Sequence, residues 1–127
     1  MCVHANQVQQ HERLLGALAS GLATLRRNLV AAGLWNEVLV MTYSEFGRRV
    51  RENASGGTDH GTAAPLFVMG GGVQGGLHGA QPALSDLDDG DLRHAVDFRE
   101  VFATVARGCW GVSADYGLRQ PRRVGFL

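Results

Sequence analysis

Only two stretches of this 127-residue chain read as buried strands, and that shortage constrains the fold more than any other feature. "EVLVMTY", Glu37–Tyr43, is a nearly continuous apolar run rich in β-formers. That is the pattern of a strand buried on both faces, as in a parallel sheet covered by helices. "PLFVMGGG", Pro65–Gly72, repeats it with Leu66, Phe67, Val68 and Met69 before a glycine stop. Two strands are too few for a stable covered sheet. The expectation is a piece of a larger α/β domain, or a chain that pairs with another.

Helices flank the strands. Leu14, Leu18, Leu22, Leu25 and Leu29 recur at spacings of three and four, which predicts an amphipathic helix over roughly Gln7–Ala32. Gly33 is the expected stop. Asp97 opens the last helix with Glu100 three residues on, a capping-box spacing, and Phe98, Val101, Phe102 and Val105 supply its apolar stripe. "VQGGLHG", Val73–Gly79, suggests a small hairpin around Gly75-Gly76. The acidic "PALSDLDDGDL" reads as a solvated loop, and the tail after Gly111 as short and irregular.

Composition narrows the function. Lys+Arg and Asp+Glu are both 12, so the formal net charge is zero, which argues against a nucleic-acid or anionic-membrane binder. No apolar run approaches membrane-spanning length, and "MCVHANQVQQ" lacks the basic-then-apolar pattern of an export signal. Cys2 and Cys109 lie far apart and form no CxxC pattern, so their redox state stays open. Eighteen glycines are about twice the usual share of roughly 7%, and they gather in Gly56–Gly79.

Chemistry in α/β proteins gathers at the carboxyl ends of strands. Ser44, Glu45 and Arg48 follow the first strand, and Asp59 and His60 precede the second. A glutamate oxygen and a neutral imidazole nitrogen suit zinc or a similar divalent ion. Arg48 could grip a tetrahedral anion with its fork of donors, while Arg49 and Arg51 are expected to be solvated. The same words also read as ordinary surface: a glutamate in solvent, and "GTDHG" as a turn in which Asp59 bonds its own backbone.

The words "HANQ" (4–7), "VLVMTYSEFGRRVREN" (38–53), "GTDHGTAAPLFVMGGGVQGGLHG" (57–79) and "DFREVFATV" (97–105) resemble one bacterial family, in order and over nearly the whole chain. It is the domain-of-unknown-function family numbered 1501, placed in the alkaline-phosphatase/sulfatase-like superfamily. The resemblance implies residues 1–127 as the C-terminal part of a three-layer sandwich with a mostly parallel sheet. It implies a metal-dependent hydrolase of phosphate or sulfate esters, with zinc, or else calcium or manganese. By that analogy Glu45 of "SEFG" stands for a ligand aspartate, Phe46 replaces a ligand histidine, and His60 resembles the last ligand histidine. His4 resembles the histidine of a "DTH" word that here reads "CVH", with Cys2 where the aspartate is expected.

Nothing in the 127 residues resembles the superfamily's nucleophile or its first metal-binding aspartate. The export signal that places full-length relatives in the periplasm is also missing, so the chain's own location stays open. The expected function is therefore that of an incomplete hydrolase, inactive alone and prone to self-association through uncovered core. The alternative is a non-catalytic α/β binding or structural module.

Overall fold

A computed structural model describes residues 4–127. Cys2, and any thiolate ligation by it, lies outside the described residues. The order is helix α1 (Gln7–Ala31), a 3-10 turn (Trp35–Glu37), β1 (Leu39–Met41), β2 (Gly47–Glu52), β3 (Thr58–Gly61), β4 (Val68–Gly70), β5 (Leu87–Asp88), β6 (Asp91–Leu92) and helix α2 (Phe98–Trp110).

The sheet is where expectation and structure part. The two apolar runs do pair, as β1 and β4, but antiparallel, with Leu39 opposite Gly70 and Met41 opposite Val68. All three strand pairs among the described residues are antiparallel, so they supply no element of a mostly parallel sheet. A parallel pair needs a crossover element, usually a helix. The segment between β1 and β4 instead forms a hairpin, β2–β3, which turns the chain back. The structure is mixed α/β in two-stranded pieces.

The core sits on one side of the β1–β4 pair. Val101 and Val105 of α2 pack with Phe126, and Leu39, Met41, Leu66 and Val68 close over them. Phe126, in the tail read as irregular, is only 3% exposed. The tail is irregular in backbone yet structural in packing.

Helix ends follow local chemistry. Gly33, at φ 72°, donates to Val30 O while Leu34 donates to Leu29 O, a Schellman stop for α1. Asp97 caps α2 by accepting from the Arg99 N–H at 2.9 Å. The second half of the expected capping box is not made. Glu100 turns away to receive Arg122, which donates from Nε at 2.9 Å and from the backbone N–H at 3.2 Å. Thr104 donates to Glu100 O and accepts from the Val124 N–H, so two side chains of α2 anchor the tail.

Two further readings are corrected. The "VQGGLHG" stretch, Val73–Gly79, forms no hairpin; the N–H groups of Val73 and Gln74 donate to Gly70 O and Phe126 O instead. The acidic stretch does form one: β5 and β6 pair across Asp89-Gly90, both at positive φ as a tight primed turn demands. Its Asp91 lies 3.9 Å from Arg49 Nε; the Arg49 side chain stays solvent-exposed, as expected, while sitting within ion-pair range of that hairpin.

Candidate functional site

The stretch between the apolar runs is a hairpin whose turn is built by one side chain. Asn53 Oδ1 accepts from the N–H groups of Ser55 and Gly57, and Gly56 takes φ 67°. The same residue's Nδ2 donates to Asp59 Oδ1 at 3.0 Å and to His4 O at 3.1 Å. Asn53 therefore closes the turn, holds Asp59 and docks the segment before α1. No catalytic or ligand motif marks Asn53, although an asparagine ahead of "SGG" is a recognisable Asx-turn signal.

Docking brings His4 to the hairpin. Asn6 N–H donates to Ser55 O and Gln7 N–H to Gly56 O. A side chain on Gly57 would sit 2.4 Å from His4 O, so this approach requires a glycine. The His4 ring then lies 4.7 Å from the His60 ring, centroid to centroid. Its Nδ1 is 3.5 Å from an Arg48 guanidinium nitrogen and 3.9 Å from Asp59 Oδ1.

Arg48 and His60 face each other across the hairpin register. Arg48 donates to Thr58 O at 2.7 Å, which aims the guanidinium along the strand towards His4. Phe46 stacks on His60 at 3.6 Å with the rings 15° apart, and the Arg48 guanidinium lies 5.9 Å from the Phe46 centroid. Phe46 and His4 thus both lie against the His60 ring, which stays exposed to solvent.

The structure thus gathers Arg48, Asp59 and His60 of one hairpin with His4, which comes from more than forty residues away. Glu45 is exposed ahead of β2 and makes no hydrogen bond or ion pair with any described residue. Among the described residues, no group of three or more His, Cys, Asp or Glu side chains could hold a metal ion. Two imidazoles and a carboxylate have the chemistry zinc prefers, but these described residues do not form a metal site. An open surface groove lies beside the cluster, lined by Arg49, Arg51, Asn53 and Asp59 among others.

The sequence profile described as "Protein of unknown function (DUF1501)" matches residues 3–109. The chain belongs to this family. No curated protein and no solved structure matches the chain significantly. The DUF1501 match takes in the whole His4–Arg48–Asp59–His60 cluster and most of α2, and ends before the Arg122–Leu127 tail that completes the core. Among the described residues, no helix of this DUF1501 chain is long and apolar enough to cross a membrane.

Proposed function

We propose that this chain forms one wall of a phosphate- or sulfate-ester hydrolase site, the wall that meets the ester's anion, and that it hydrolyses nothing by itself. The observation that carries the reading is the convergence of Arg48 with His4 and His60 at one end of the β2–β3 hairpin. A guanidinium with its fork of donors beside two imidazoles offers a tetrahedral oxyanion several N–H groups on one side. In this reading a divalent metal, zinc by preference, is held only when further donors join His4 and His60, and Glu45 is the donor that the family resemblance offers.

The test is binding and turnover by the purified 127-residue chain. Inorganic phosphate and sulfate, titrated calorimetrically, should bind weakly, and Arg48→Ala should lower that affinity more than Arg51→Ala. Aryl phosphates and sulfates should stay intact with zinc, manganese or calcium added. Equal effects of the two arginine substitutions remove Arg48 from the site. Turnover abolished by His60→Ala or Glu45→Ala means the chain is a complete enzyme.

A further inference from the structure

Helix α1 is tied at both ends and bare in between. Its start is bonded to the hairpin turn at Ser55 and Gly56, and near its other end the Arg26 guanidinium lies 5.5 Å from the Trp35 ring centroid. Not one residue of α1 is buried. Leu15, Leu18 and Leu25 are 57%, 44% and 41% exposed. A stripe this apolar on a 25-residue helix marks an interaction surface.

The leucines follow a heptad. Leu15, Leu22 and Leu29 occupy one core position (a), and Leu18 and Leu25 the other (d), without interruption. That is a seam for another helix, and the charges beside it say which. Glu12 and Arg26 both fall at the position after d (e), one near each end of the stripe. When two such helices run antiparallel with Leu15 against the partner's Leu25 and Leu18 against its Leu22, each e position meets an e position. Glu12 then faces the partner's Arg26, and Arg26 faces the partner's Glu12. Ala19 meets Ala19 at the dyad, with Gly21 nearby, so no bulk or like charge blocks the centre.

We infer that two copies of this chain pair through α1, antiparallel, with Glu12 and Arg26 of each copy bonded to the other's Arg26 and Glu12. A C2 interface must be self-complementary, and this face matches itself in both its leucine layers and its charges. The inference is independent of the hydrolase reading.

Sedimentation equilibrium of the full chain under reducing conditions tests it. The wild type should be a dimer. Glu12→Arg and Arg26→Glu should each weaken dimerisation about tenfold or more, because each turns two attractive contacts into repulsive ones. An equimolar mixture of the two variants should dimerise again, because both contacts between position 12 of one copy and position 26 of the other then join opposite charges. Rescue by mixing cannot come from a folding defect in either variant. A monomeric wild type, open-ended aggregation, or two variants that fail to rescue each other would overturn the inference.

Discussion

Replacing Glu100 by alanine should release the C-terminal tail while leaving α2 in place. Glu100 is in the first turn of α2, where the helix N-terminus favours negative charge. Its side chain is 9% exposed and receives Arg122, which is 73% exposed. The two Arg122 side-chain bonds measure 2.9 and 3.1 Å, and the backbone bond 3.2 Å. Arg122 holds the Glu100 carboxyl below the ordinary carboxylate range, chiefly by donating to it. Hydrogen bonds to a charged group are worth about 1.5–3 kcal/mol. The larger loss typical of a broken buried pair does not apply, because the guanidinium of Arg122 regains water. Glu100→Ala should therefore cost about 2–3 kcal/mol, and Glu100→Gln, which keeps an acceptor, about 1 kcal/mol. Urea unfolding at neutral pH reads the cost. Hydrogen exchange reads its place: the amides of Arg122 and Val124, bonded to Glu100 and Thr104, should exchange faster while those inside α2 do not. The linkage has a definite sign. A depressed folded pKa gives stability that is present above the unfolded pKa of 4.5 and is lost as pH falls through the lower folded value. A variant within about 0.5 kcal/mol of wild type, or a loss spread evenly along α2, would refute the assignment of the tail's anchor to Glu100.

Phe126→Ala should cost about 3–5 kcal/mol in the same urea assay, as deletion of a buried aromatic does, although the residue is next to the last; a loss below about 1 kcal/mol would place Phe126 outside the core. Asp97 has its carboxyl lowered from 3.8 to about 2, first by the Arg99 side chain and then by the Arg99 N–H it caps. Its charge contribution is thus present above pH 3.8 and disappears as pH falls towards about 2. The stability gap between wild type and Asp97→Asn, which keeps the cap, should narrow over that window; a constant gap contradicts the ion pair. Gly57→Ala should expel the His4 segment from the hairpin, because the new Cβ would meet His4 O at 2.4 Å. Loss of NMR contacts between the His4 and His60 rings checks this, and their persistence would show that the backbone yields at small cost.

The site is partly legible from residue types. Arg48 and His60 stand out because arginine and histidine beside glycines are typical of anion and metal chemistry, and the hairpin places them opposite each other. His4 is legible only through the family word it belongs to. That it lies against His60 depends on Gly57 and Asn53, whose roles are contacts across more than forty residues. The hairpin itself is hidden in the sequence because β2, "GRRVRE", is polar and strand-like only in register with β3.

Local rules suffice wherever the deciding contacts lie within a turn or two of chain. The stripe and stop of α1, the Asp97 cap of α2 and the apolar runs of β1 and β4 are of that kind. Strand direction, the burial of Phe126 and the turning of Glu100 from its own helix cap to Arg122 are not. Each is a choice between partners that the sequence makes equally available, and the energy separating them comes from packing distant segments together. Only the tertiary structure, in which α2 and the tail close over one face of the β1–β4 pair, decides those choices.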